Sequence, residues 1–248
     1  MTHTLSVEKA TLYEKYRLPY TREAVPGLLK QIGKVKVIAD IGTGTGQLAR
    51  LFADRCEKIY AVEPDPGMRE VARESLKKFS TIHIIEGTAE QTTLAENSID
   101  LIVIGNAFHR FKPEACDELH RILKQAGWVA IITYTYQNQA FTDMLFSKLP
   151  TIKGWASRAE KSWHRTPEKD LFRECQVQTH TYRQSQTEEW EAFFGAACAG
   201  IESPEKTDPE FAQFEAINRE VFDAFSANGK IQLDYETRVS FAQPLQHI

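Results

Sequence analysis

Between residues 35 and 134, short runs rich in Val and Ile alternate with longer segments of helical character. That alternation commits the chain to a parallel sheet with crossover helices, because a tight hairpin cannot join parallel strands. The runs are 35–41, 58–63, 81–86, 99–105 and 128–134, each nearly continuous in apolar residues, as strands covered on both faces require. Helices are expected over 47–55, 66–78 and 113–125, the last opening on Pro113 and closing before Gly127. Residues 1–33 read as a polar helical leader in which Tyr13, Tyr16 and Tyr20 lie among basic residues, with Pro26-Gly27 breaking the pattern.

Beyond Tyr136 the alternation fails, and 137–174 reads as an insert or lid. Residues 177–183 alternate as a strand, Thr187 is a candidate cap for a helix through Trp190 and Phe194, and Asp208-Pro209 opens an amphipathic helix. In that helix the stripe from Phe211 to Phe225 reads as core, and 231–241 supplies a last strand. The 248 residues, 42% hydrophobic, support one core. They form a single domain, divided into a leader (1–33), a cofactor-binding core (34–136) and lid helices with the last two strands (137–248).

The chemistry concentrates where strands end. The run Val37-Ile38-Ala39-Asp40-Ile41-Gly42-Thr43-Gly44-Thr45-Gly46 is an apolar strand entering a glycine-rich turn. Glycine allows positive φ and close approach to a ligand, and the following helix offers free N–H groups to an anion. The dinucleotide fingerprint Gly-x-Gly-x-x-Gly would need glycine where this chain has Gln47. Glu63 follows at the end of the second run, 21 residues after Gly42, placed to accept both hydroxyls of a ribose. Gly87-Thr88-Ala89-Glu90 and Gly105-Asn106-Ala107-Phe108-His109 follow the third and fourth runs. All four pieces thus fall on the rim where open α/β sheets bind ligands.

Together these segments resemble the class I S-adenosylmethionine-dependent methyltransferases, in particular the small-molecule enzymes with the common methyltransferase domain. The resemblance covers 35–134 and includes Val62-Glu63-Pro64-Asp65-Pro66-Gly67-Met68, Ser98-Ile99-Asp100-Leu101-Ile102 and Leu123-Lys124 leading to Gly127-Trp128. It implies a Rossmann-like fold with a seven-stranded, mostly parallel sheet of order 3-2-1-4-5-7-6, the last strand antiparallel. It also implies S-adenosyl-L-methionine as cofactor and S-adenosyl-L-homocysteine as product. By the same resemblance, Asp40, Gly42, Thr43, Gly44, Thr45 and Gly46 wrap the methionine moiety, Glu63 binds the ribose with Pro64 beside it, and Met68 covers the adenine. Thr88, Ala89 and Glu90 flank the adenine; Thr88 stands where many members have aspartate, which passes the contact to Glu90 or a backbone carbonyl. Asn106, Ala107 and Phe108 complete the cofactor set. One subgroup reads Ala-x-His-Trp-Phe where this chain has Ala107-Phe108-His109-Arg110-Phe111, so Arg110 replaces a tryptophan on the acceptor side.

Transfer of a methyl group from a sulfonium is a direct displacement, so the protein mainly aligns donor and acceptor and removes a proton where needed. His109 is the candidate base, and its other reading is a pocket wall. Tyr13, Tyr16, Arg17 and Tyr134 are candidate acceptor-side residues, or plain packing residues. Glu114, Asp117 and His120 share a helix face, which an outward polar surface explains more simply than a metal site. Trp155, Trp163 and His164, among Lys153, Arg158, Lys161 and Arg165, read as a pocket cover. Two other classes stay open: a SAM- or nucleotide-binding module without catalysis, and an NAD-dependent oxidoreductase on a similar sheet.

Charge and cysteine usage narrow the partners. Thirty Lys+Arg against 34 Asp+Glu give a formal charge of −4, without the basic footprint of a nucleic-acid binder. Cys56, Cys116, Cys175 and Cys198 contain no Cys-x-x-Cys pair and read as reduced thiols. The first ten residues lack an apolar signal-peptide core, and no apolar run reaches the length of a membrane span. The expectation is a cytoplasmic enzyme, monomeric or homodimeric, acting on a small molecule with no membrane partner.

Overall fold

The computed structural model describes residues 5–162, 164, 166–173 and 175–244. Trp163 and Arg165 of the basic and aromatic insert lie outside the described residues. The chain begins with helix α1 (Val7–Tyr16), capped by the Ser6 hydroxyl, which accepts from Lys9 N at 3.2 Å. Helix α2 (Ala24–Ile32) follows. Pro26 and Gly27 do not break the leader but lie in the first turn of α2. A proline there removes an N–H that has no helical partner in any case, and the break falls earlier, around Pro19.

Five parallel strands come next: β1 (Val37–Ile41), β2 (Lys58–Glu63), β3 (Ile82–Glu86), β4 (Ile99–Gly105) and β5 (Leu123–Tyr136). Helices α3 (Ala49–Phe52), α4 (Pro66–Leu76) and α5 (Ala115–Ile122) are shorter than their sequence windows. The α5 window ends early because Leu123 already pairs with Ile99 of β4, and Lys124 binds Asp100 at 2.7 Å. Strand pairing there overrides the helical preference of Leu-Lys-Gln.

The insert folds as α6 (Gln139–Lys148), α7 (Trp155–Ser162) and α8 (Glu168–Phe172). Strand β6 (Gln178–Glu189) runs past Thr187, which pairs with Gln232 instead of capping α9 (Trp190–Cys198). Helix α10 (Phe211–Phe225) buries Phe214, Val221 and Phe222, as its aromatic stripe requires. A two-residue strand, β7 (Ser226–Ala227), turns through Asn228 (φ 53°) and Gly229 (φ 75°) into β8 (Lys230–Ala242). Two consecutive positive φ angles are the signature of a tight hairpin whose twist matches its strands.

The sheet order is β3-β2-β1-β4-β5-β8-β6, with β7 beside β8. It departs from the expected seven-stranded order only by the added β7. β8 is antiparallel to β5 and β6. The continuous apolar runs serve two faces at once. Ala39, Ile41, Ile102, Ile104 and Ile131 meet Leu119 and Phe172 on one side, whereas Ile38, Ile59, Leu101, Val103 and Ile132 meet Val25, Leu28 and Phe52 on the other. Strand order reverses between β1 and β4, the switch point at whose strand ends open α/β sheets bind ligands.

Candidate cofactor and acceptor site

The glycine turn has the conformation its composition predicts: Gly42, Gly44 and Gly46 take φ of 70°, 59° and 86°. Gly42 also faces the loop after β4, where an added Cβ would lie 2.8 Å from the Ala107 methyl. The turn is anchored on β2, since Gly42 N and Thr43 N both donate to the Val62 carbonyl, at 2.9 and 3.1 Å.

Two buried carboxyls define its polar floor. Asp40 is fully buried and accepts from the Thr43 hydroxyl at 2.6 Å. Glu63 Oε2 accepts from Gly44 N at 2.8 Å, and Glu63 Oε1 from Asp65 N at 3.0 Å. Burial raises both, Asp40 to about 7 against its Thr43 hydrogen bond, and Glu63 to about 7 against its backbone donors. The buried Thr45 hydroxyl has no hydrogen-bond partner among the described residues. Exposed Pro64 and Glu63 offer their carbonyls to Arg69, which pairs with Glu86 at 3.0 Å and so ties the ends of β2 and β3 together.

Around this floor stand the other expected residues. Met68 heads α4 behind its Asp65 cap, 4% exposed, and packs with Leu5 and Ala10 of the leader. Thr88 and Gln91 exchange backbone hydrogen bonds in a tight turn around buried Ala89. Glu90 reaches Lys112 N at 3.0 Å, which links that turn to the loop after β4. In that loop Asn106 adopts φ 51°, its Oδ1 accepts from Tyr134 N at 3.2 Å, and its Nδ2 donates to the Tyr20 hydroxyl at 3.3 Å. Phe108 turns into the core against Phe111.

His109 is half-buried, and burial followed by the Arg110 charge lowers its pKa to about 4. Its carbonyl accepts from His164 N at 2.9 Å, and the Phe111 carbonyl from the Thr166 hydroxyl at 2.6 Å, so the insert clamps this loop. Arg110 pairs with Glu202 at 3.3 Å.

The leader crosses the whole site. Leu5 N donates to Asp65 at 2.8 Å, and Tyr13 lies against Gly44. Gln47, which occupies the fingerprint's third glycine position, reaches the Tyr13 and Glu14 carbonyls at 3.3 and 3.4 Å. Glu14 pairs with Arg50 at 2.5 Å. The Arg17 guanidinium lies over the rings of Tyr13 and Tyr134, 5.1 and 5.4 Å from their centroids.

Not every expected residue joins this arrangement. Tyr16 points to α9, where its hydroxyl donates to Glu191 at 2.6 Å and its ring occupies the space over Gly195. His120 is not part of an outward polar face: it is 4% exposed, with Nε2 2.7 Å from the Leu171 carbonyl. No metal-holding cluster of His, Cys, Asp or Glu occurs among the described residues. The four cysteines are free. Tyr20, Gln47 and Glu14 were not anticipated as site residues.

Comparison with known proteins agrees with this architecture. Residues 39–131 match the family described as "Methyltransferase domain". An uncharacterized methyltransferase of Mycobacterium tuberculosis is 33% identical over 124 residues, 50% of this chain and 49% of that protein. An uncharacterized methyltransferase-like protein of Schizosaccharomyces pombe is 33% identical over 106 residues, 42% of this chain and 40% of that protein. The chain thus spans about half the length of the curated relatives it matches. Among solved structures, the YcgJ protein of Bacillus subtilis superposes with a TM-score of 0.59 at 17% identity, covering 92% of this chain and all of that one. A candidate type II methyltransferase of Anaeromyxobacter dehalogenans gives 0.59 at 19% identity over 94% of this chain and 100% of that one. Residues 39–131 thus match a methyltransferase domain family, and the α/β fold with its mostly parallel sheet is shared with these solved structures.

Proposed function

We propose that the protein transfers a methyl group from S-adenosylmethionine to a small-molecule acceptor and releases S-adenosylhomocysteine. The observation that carries this reading is the meeting of a buried Glu63 with a turn of three positive-φ glycines at the strand ends where strand order reverses. Such a site suits a ligand that combines a diol with a small zwitterionic chain, and the polar groups fit: a carboxyl for two hydroxyls, the half-buried Gly42 and Gly44 backbone, and the unpartnered Thr45 hydroxyl.

When bound, S-adenosylmethionine supplies a methyl group on a sulfonium, an electrophile that requires no nucleophilic side chain. Glu63 accepts the ribose hydroxyls, with Pro64 at its side. Gly42, Thr43, Gly44 and Gly46 hold the amino-acid end, over a floor made by Asp40 and Thr45. Met68, Thr88, Ala89 and Glu90 bound the purine, and Asn106, Ala107 and Phe108 close the side next to β4. Tyr13, Arg17, Arg110 and Tyr134 face the acceptor, and α1 and the insert exclude water. His109, which burial keeps neutral at pH 7, is the candidate to take the acceptor's proton. No helix among the described residues is long and apolar enough to cross a membrane.

Replacing His109 tests the catalytic part. His109→Ala is expected to lower kcat by about 10²–10⁴-fold at unchanged S-adenosylhomocysteine affinity. An unchanged kcat would make His109 a wall of the pocket.

A further inference from the structure

The sheet has two edges of unequal length. One is the five-residue β3, and the other is β6, which pairs with β8 along all 12 of its residues without a bulge. In an antiparallel pair alternate residues turn their N–H and C=O groups away from the partner, so β6 carries a row of such groups on its outer side. Among the described residues β6 makes no backbone–backbone hydrogen bond except to β8. One side chain reaches its backbone, the Thr21 hydroxyl, which donates to the Tyr182 carbonyl at 3.4 Å. Long edges are normally blunted by proline, lysine, a bulge or a covering segment, and β6 has none of the first three.

The stretch from Arg183 to Glu189 also lies where the sheet narrows. β5 pairs with β8 only from Tyr235 to Ala242, so residues 185–189 of β6 and their partners 230–234 of β8 project past β5, beside the two-residue β7. One face of this ribbon is closed, since Ile231, Leu233 and Tyr235 pack with Phe141, Phe193 and Phe222 of the insert and the later helices. On the other face Arg183, Ser185, Thr187 and Glu189 are exposed. A narrow ribbon of this kind gains from further strands at its edge.

We propose that β6 is a self-association edge, on which a second copy of this chain lays its own β6 antiparallel and continues the sheet across a two-fold axis. The exposed face is complementary to itself. With the axis at Gln186, Arg183 stands opposite Glu189 of the second copy, Gln184 opposite Glu188 and Ser185 opposite Thr187, and symmetry makes each pair twice. An axis at Arg183 would set like charges opposite each other, and an axis at Gln184 or Ser185 leaves Arg183 opposite Ser185 or Thr187. Within the chain Arg183 and Glu189 have only exposed ion pairs, to Glu236 at 3.6 Å and Lys230 at 3.2 Å, which water screens and a second copy can share. Neither charge belongs to the proposed cofactor and acceptor site, so the dimer does not depend on methyl transfer.

Sedimentation equilibrium of the full chain over about 1–500 µM measures the association, because a short interface is reversible in that range. The expected result is a dimer that Arg183→Glu and Glu189→Arg each weaken about fivefold or more, and that the double variant restores. Hydrogen exchange reads the same contact without a variant: amides of alternate residues between Arg183 and Glu189 slow as the dimer fraction rises. The proposal is overturned by wild type that stays monomeric across the range, by a dimer that either single reversal weakens less than that, or by a double variant that fails to recover. It is also overturned if those amides exchange as fast in the dimer as in the monomer, which puts the contact elsewhere. Amides already protected in the monomer overturn it too, since a segment of the same chain then covers the edge. Should a reversal variant not fold, exchange in wild type decides.

Discussion

Asp40 and Glu63 carry protons that ordinary carboxyls would have lost, since burial holds both near 7 against usual values of 3.8 and 4.5. Because the folded state binds these protons more tightly than the unfolded chain, their contribution to stability is full below about pH 4 and is lost as pH rises to about 7. His109 runs the other way, from 6.5 down to about 4, so its share is present above about 6.5 and lost as pH falls through about 4. Comparing wild type with Glu63→Gln isolates the carboxyl: denaturant unfolding from pH 4 to 8 should show the variant gaining on the order of 1–3 kcal/mol relative to wild type toward pH 8. A constant difference would refute the shift. The ionised form is the better partner for a diol, so S-adenosylhomocysteine should bind more tightly as pH rises through 7, and Glu63→Ala should lose about 1.5–3 kcal/mol of affinity at pH 8. At Gly42, a Cβ would combine a φ of 70° with an Ala107 contact at 2.8 Å, so Gly42→Ala should destabilise the fold by about 1–3 kcal/mol in the same unfolding assay. The glycines and Glu63 were legible in the sequence because their chemistry is set by local spacing. The place of Arg17 over Tyr13 and Tyr134 was not, since Tyr134 is distant in sequence.

Helix α1 buries Ala10 against Met68, and its ties to the glycine turn and to α9 are more exposed. Glu14 with Arg50, Gln47 on the α1 carbonyls and Tyr16 on Glu191 are all partly exposed. Partly exposed ion pairs of this kind contribute roughly 0–1 kcal/mol each. Amides of α1 should therefore exchange hydrogen faster than those of β1, and saturating S-adenosylhomocysteine should slow them, with Arg50→Ala weakening that protection. Equal exchange in α1 and β1 without ligand would show a fixed cover instead. The strands were readable from composition because burial on both faces requires unbroken apolar runs. The limits of α5, the long β6 and the position of α2 were not, since each depends on a partner distant in sequence: Leu123 on Ile99, Thr187 on Gln232, Gly27 on Tyr182. Gly27 shows the physical reason well, because a Cβ there would fall 1.9 Å from the Tyr182 hydroxyl.

At the scale of the whole molecule, the two loops that carry the site leave neighbouring strands on either side of the order reversal, so the place of the site follows from topology. Sequence alternation gave the parallel strands and crossover helices, the family resemblance gave their order, and the hairpin through β7 added to it without moving the site. The formal charge of −4 lacks the basic footprint of a general nucleic-acid binder. The central claim is that this site takes S-adenosylmethionine, and calorimetric titration of the purified protein with S-adenosylhomocysteine, using NAD as the control ligand, tests it most directly. The account predicts saturable one-to-one binding of S-adenosylhomocysteine and none of NAD; silence toward S-adenosylhomocysteine with binding of NAD would contradict it.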